Sequence, residues 1–224
     1  MNMKQAKHFG VVTKGNSKIH GSTFSTDPLA CNVGQKLRNI AGSTCQKCYA
    51  IKLGKVYKSA QKSWEDNLYK WVDALETDPV GWIEAVSFQI NRLSENKMKK
   101  GQAGAGLHRW FAAGDIPSVD ALRSIVEVCK RTPNVRHWLP TREKGIVNQY
   151  LSVNPDVFPE NLTVRVSAAM IDGLPPESID CTSTVHKDKP AVGMVCPAYS
   201  NGGSFGPCTA CWDKSVKNVS YKVH

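Results

Sequence analysis

No apolar run in this 224-residue chain approaches the roughly 20 residues that a membrane helix needs. The opening MNMKQAKHFGVVTKGNSK lacks the roughly 7–15-residue apolar core of a secretion signal. These absences predict a protein of the reducing cytoplasm, with no membrane partner. Also missing are a His-x-x-x-His pair, a nucleophile elbow and a dinucleotide fingerprint. The glycine-rich KKGQAGAG (99–106) is not closed by Gly-Lys-Ser/Thr, so it is not a phosphate loop. There is no arginine-rich tract and no standard nucleic-acid motif. What is present is a net charge of +10, from 29 Lys and Arg against 19 Asp and Glu, and eight cysteines. The charge favours an anionic partner, nucleic acid foremost, although solubility alone explains many basic proteins.

Hydrophobic content of 41% and charged content of 21% are ordinary for a globular chain, and the length suits a single domain, 1–224. The middle carries the legible pattern. DPVGWIEAVSFQINRLSEN predicts a helix with Asp78 as N-cap and Pro79 at its first position. Ile83, Val86, Ile90 and Leu93 fall on its inner face. LHRWFAAGD then predicts a strand over 107–113. SVDALRSIVEVCKR predicts a helix capped by Ser118 that buries Val119, Leu122, Ile125, Val126 and Cys129. VRHWLPTR predicts a second strand and TREKGIVNQYLS a second helix, with Ile146, Val147, Tyr150 and Leu151 inward. LTVRVSAAM predicts a third strand. Strand starts at 107, 135 and 162 lie 28 and then 27 residues apart, the step of βα units that build a parallel sheet.

The expected fold is therefore α/β, a partial or shrunken (βα) barrel whose readable core covers about 78–172. Flanks 1–50 and 173–224 are rich in Gly, Ser, Pro and Cys with little periodicity. In such folds chemistry gathers where strands end. The residues there are Gly114 and Asp115, Thr141 and Arg142, and Ser167 through Asp172. Asp115, Arg142 and Ser167 are the candidate catalytic residues. A helix-start carboxylate and a solvated arginine account equally for the first two. His108 and His137 fall within strands, where a satisfied core histidine is the common outcome. Trp110, Trp138 and Trp212 are candidates to pack around a site.

Cys129 on the apolar face of its helix reads as a small buried hydrophobe, and Cys181 as structural. The other six form two similar groups: Cys31 ahead of Cys45 and Cys48, and Cys196 ahead of Cys208 and Cys211. A Cys-x-x-Cys turn presents two thiolates to one metal centre, and here two such turns sit in irregular segments. Four thiolates suit zinc and iron–sulfur clusters alike. Zinc ribbons keep their pairs within a few tens of residues, whereas 159 residues separate Cys48 from Cys208. The expectation is one site that joins the termini, held by Cys45, Cys48, Cys208 and Cys211, with Cys31 and Cys196 as alternates. A redox Cys-x-x-Cys at Cys45 and Cys48 leaves the second pair unexplained.

CYA after the first pair is similar to the cluster-binding segment of phage-encoded radical-SAM-like proteins. The ordered blocks CYA, FAAGD, RHWLPTREKG, LTVRVSAAMIDG and CPAYSNGG…CTACWDKSVKNVSYKVH resemble the phage gene-product-88 family, from about Asn16 onward. The resemblance implies an iron–sulfur protein with one 4Fe-4S cluster, in the cytoplasm of an infected or lysogenic bacterial host. Two departures stand out. Relatives carry a further cysteine where this chain has Phe205. The compact Cys-x3-Cys-x2-Cys of S-adenosylmethionine enzymes is absent, as is a Gly-Gly-Glu segment, for which AAGD is a weak stand-in. The expected function is redox, electron-transfer or radical-SAM-like chemistry, with a redox protein as one partner. The rival is a basic nucleic-acid- or host-protein-binding module with a structural zinc or cluster.

Overall fold

The structure, a computed structural model, describes residues 1–15, 20–153 and 158–223. Its centre is a sheet of eight strands: β1 (Thr13–Lys14), β2 (Ser22–Phe24), β3 (Leu107–Trp110), β4 (Arg136–Thr141), β5 (Leu162–Ile171), β6 (Thr182–His186), β7 (Met194–Val195) and β8 (Asn218–Lys222). Their spatial order is β1-β2-β3-β4-β5-β6-β8-β7. Only the β1–β2 pairing is antiparallel; every other neighbour runs parallel. The α-helices are α1 (Met3–Ala6), α2 (Asn32–Leu37), α3 (Tyr49–Val56), α4 (Lys58–Thr77), α5 (Pro79–Lys99), α6 (Val119–Arg131) and α7 (Lys144–Val153). The fold is thus mixed α/β, and among the described residues β1 and β7 are the two edges of an open sheet.

The βα rhythm of the middle stands. Asp78 caps α5, its carboxylate accepting from the Gly81 N–H, with Pro79 in the first turn. Ser118 caps α6 by accepting from the Ala121 N–H at 3.1 Å. Period-2 alternation divides the strands between two cores. Trp110, Leu139, Leu162, Val164 and Val166 join the helices, including Trp71, Trp82, Leu122 and Ile125. Leu107, Trp138 and Val219 face the other way, against Cys196, Cys211 and Trp212. Helices thus cover one face, and the cysteine-bearing C-terminal segment covers the other.

Three expectations need correction. The strand expected over 107–113 ends at Trp110. Phe111 turns to φ 55°, in the left-handed region, and its N–H donates to the Phe24 carbonyl at 2.7 Å. The flanks are not irregular appendages, since they supply β1, β2, β6, β7 and β8. The unread stretch between 50 and 78 folds into most of α3 and all of α4. His108 and His137 are fully buried, as expected of core histidines. The His108 Nδ1 lies 2.8 Å from Ser22 Oγ and the His137 Nε2 lies 2.8 Å from Thr132 Oγ1.

Candidate metal centre

Cys31, Cys45 and Cys48 line one cleft of about 120 Å³. Each reaches it by a different local device. Cys31 and Cys48 occupy the N-cap positions of α2 and α3. Cys45 rides a turn laced to the end of β5: the Ile171 N–H donates to Gly42 O at 2.9 Å, and the Thr44 N–H to Ala169 O at 2.9 Å. Phe111 to Asp115, Pro140 and Arg142, at the carboxyl ends of β3 and β4, form part of the same wall. This is where parallel sheets place their ligands.

Gly34 keeps the space between two of the thiols open. A Cβ there would lie 2.8 Å from Cys31 Cβ, 3.7 Å from Cys31 Sγ and 3.9 Å from Cys45 Sγ. Gly114, at φ +86°, closes the opposite wall; a Cβ would lie 2.0 Å from Thr26 Oγ1. Burial raises the Cys31 and Cys45 thiols above their ordinary range, and the Arg142 cation opposes this at Cys45. Asp115 lies in the same wall with its oxygens taken. Oδ1 accepts from Thr141 Oγ1 at 2.6 Å and the Ile116 N–H at 2.8 Å, and Oδ2 from the Arg142 N–H at 2.9 Å. Arg142 Nε donates to Thr44 Oγ1 at 2.8 Å. Of the three candidate catalytic residues, Asp115 and Arg142 therefore meet at the cleft. Ser167 instead pairs with Ser183 Oγ at 2.9 Å, between β5 and β6. Asp172, at φ 59°, anchors the loop after β6 by accepting from the N–H groups of Lys187, Asp188 and Lys189.

The other three cysteines gather on the covered sheet face. Cys196 interacts electrostatically with Cys208 and Cys211. Tyr221 Oη lies 3.2 Å from Cys211 Sγ. Burial pushes the Cys211 thiol up to about 11. Cys208 opens onto a separate surface groove with Pro197 and Asp213, which shares no residue with the first cleft. Arg165 tethers this segment, donating to the carbonyls of Ala210, Cys211, Thr182 and Asp213 at 2.6–3.3 Å. Phe205 fills the aromatic cluster there, with ring centroids 6.1 Å from Trp138 and 6.2 Å from Trp212. The structure thus groups the six cysteines by terminus, each Cys-x-x-Cys turn with the third cysteine of its own end. Among the described residues, no three His, Cys, Asp or Glu side chains stand in an arrangement that grips a single ion. His224 lies outside the described residues.

Arg109 was not singled out by its sequence, yet it lies between the two groups. It lines the first cleft, stacks its guanidinium on Trp138 at 4.6 Å and acts electrostatically on Cys211. The alternation of β3, with His108 and Trp110 facing the helices, was the available signal. Arg38 and Tyr49, also in the cleft wall, gave none.

The family model for gene product 88 matches residues 13–201. The chain belongs to this family. The matched span contains Cys31, Cys45, Cys48 and Cys196 and ends before Cys208 and Cys211. No curated protein and no solved structure matches the chain.

Proposed function

We propose that the protein is an iron–sulfur protein in which Cys31, Cys45 and Cys48 would hold one 4Fe-4S cluster, supplying three of its four cysteine positions. The observation that carries this is the convergence of three thiols on a single cleft at the carboxyl ends of β3 and β4. The donor set fits the group. Sulfur is what the cleft chiefly offers, because Asp115 already accepts three hydrogen bonds, and such clusters are held by cysteine thiolates. The room beside Gly34 supports the fit. When bound, the group supplies one-electron transfer and an iron that accepts a ligand, consistent with redox or radical-SAM-like chemistry.

The chain's own residues do the rest. Arg142 places a cation beside Cys45 and favours its thiolate. Phe111 and Pro140 wall the cleft with apolar surface, which limits water and tunes potential. Asp115 fixes the start of the loop after β4 and so orients Arg142. In this proposal the sheet is the wall of a partial (βα) barrel, supported by helices on one face and the segment 194–216 on the other.

The test is the absorption spectrum with iron, sulfide and zinc analysis, on protein purified without oxygen. Roughly four irons and four sulfides per chain is the expected result. A colourless protein with one zinc would replace this function with that of a binding module held by a structural metal.

A further inference from the structure

Residues 28–64 contain no aspartate or glutamate, yet they hold seven of the 29 Lys and Arg. The other 187 residues carry 22 basic side chains, 29 less 7, against all 19 acids, a net of only +3. Most of the chain's basic character is therefore concentrated in one segment, which is not what charge for solubility requires. The same segment supplies the three cysteines of the cleft. Lys36, Lys47, Lys52, Lys55, Lys58 and Lys62 are exposed. Among the described residues, Lys62 alone of these makes a salt bridge, to Asp66 at 3.3 Å.

The exposed apolar side chains of this segment follow the charge. Tyr49, Lys52, Leu53 and Val56 recur at i, i+3, i+4 and i+7 on the outer face of α3, with Ala50 and Gly54 buried on the inner. Tyr49 is 55% exposed, Val56 72% and Tyr57 58%. The stripe begins at the cleft, which Tyr49 lines, and runs on to Tyr57, Lys58 and the first turns of α4. At its start, Arg38, Arg109 and Arg142 carry the positive charge into a concave wall. Arg109 keeps a buried Nε–H with no hydrogen-bond partner. A flat bilayer does not reach such a concavity; a phosphate chain does. Lysines alternating with exposed tyrosines match a backbone-plus-stacking mode of binding.

We propose that this face is a docking surface for single-stranded nucleic acid. Phosphates lie on the lysines of α3 and α4, a base stacks on Tyr57, and the strand passes the cleft at the three arginines. The inference does not depend on which group the thiols hold.

Fluorescence anisotropy of the full chain with labelled oligo(dT) and oligo(U) tests it, between about 50 and 200 mM salt. The two oligonucleotides distinguish DNA from RNA. Matched charge reversals test location: Lys52→Glu with Lys55→Glu, against Lys99→Glu with Lys100→Glu on the far end of α5. The first pair should weaken binding about tenfold or more and flatten the log–log salt slope by about 1.4, at roughly 0.7 per phosphate contact. The second pair should change affinity less than about twofold. Tyr57→Ser should cost roughly fivefold or more at an unchanged salt slope. Equal losses in both double variants would overturn the proposal by reducing it to net charge. Failure to bind either oligonucleotide would also overturn it, as would tighter binding of polyglutamate or of anionic vesicles.

Discussion

Acidification from pH 7 to pH 5 should remove about 2 kcal/mol of folding stability through His137 alone, with His108 adding a loss of the same sign. His108 and His137 lie within the sheet with ring centroids 5.3 Å apart and are fully buried. Burial holds His137 down to about 3 and His108 well below the ordinary 6.5, with His137 also disfavouring a charge on His108. Both folded-state values are depressed, so their stability is present above the unfolded value and is lost as pH falls below about 6.5, for His137 down toward 3. At pH 5 the unfolded chain protonates the His137 ring and the folded chain does not, a cost of about 2 kcal/mol relative to pH 7. That is a large share of a typical domain's stability of about 5–15 kcal/mol. Asp115 and Glu143, raised by burial, act with the opposite sign, so a variant isolates the effect better than the wild type. Urea unfolding at pH 7, 6 and 5 should show a falling midpoint. His137→Gln should lower stability at pH 7 yet reduce the loss on acidification by about 2 kcal/mol. A pH-independent midpoint, or an unchanged loss in His137→Gln, would refute the burial argument.

Other consequences follow from single residues. Gly114→Ala forces a Cβ to within 2.0 Å of Thr26 Oγ1 at φ +86°. A loss of about 3 kcal/mol, from left-handed strain plus overlap, should appear in thermal unfolding; a loss under about 1 kcal/mol would contradict it. Arg165→Met removes three bonds to carbonyls that tie the C-terminal cysteine segment to β5, and a fourth to Thr182 of β6. Limited proteolysis should then cut between residues 194 and 216 well before the core; an unchanged digestion pattern would show that the tether is dispensable. Trp82 is fully buried and stacks on Trp71 at 5.0 Å. Trp82→Ala should cost about 3–5 kcal/mol by urea titration, and a cost near 1 kcal/mol would mean that the helical core repacks around the gap.

The βα middle was legible because two periods alternate there. Ile83, Val86 and Ile90 repeat at helical spacing, and Leu162, Val164 and Val166 at strand spacing, each burying a continuous apolar face. The flanking strands were not, because they are short and rich in hydroxyls. Ser22–Phe24, Thr182–His186 and Asn218–Lys222 are stitched by side-chain bonds such as Thr182 Oγ1 to Asn218 Oδ1 at 2.8 Å and Thr184 Oγ1 to Ser220 Oγ at 3.1 Å. Ser22–Phe24 and Thr182–His186 carry no hydrophobic alternation to read, and the Val219 and Tyr221 pair of β8 is too short a signal amid a Gly- and Ser-rich flank. Phe111 ended its strand through a left-handed φ that no propensity marks. The six cysteines stood out as two groups, and linear spacing does not say which loops meet at which end of the sheet. Only the docking of the 42–46 turn onto the end of β5 places Cys45 with Cys31 and Cys48.

The measurement closest to the central claim is iron and sulfide content after anaerobic reconstitution, compared across single Cys→Ala variants. A cluster held at the first cleft predicts that Cys31→Ala, Cys45→Ala and Cys48→Ala each lose most of the iron and the visible absorption. Cys208→Ala and Cys211→Ala should retain both. Equal loss in Cys208→Ala or Cys211→Ala would contradict the grouping by terminus and assign the group to a centre that joins the two ends of the chain.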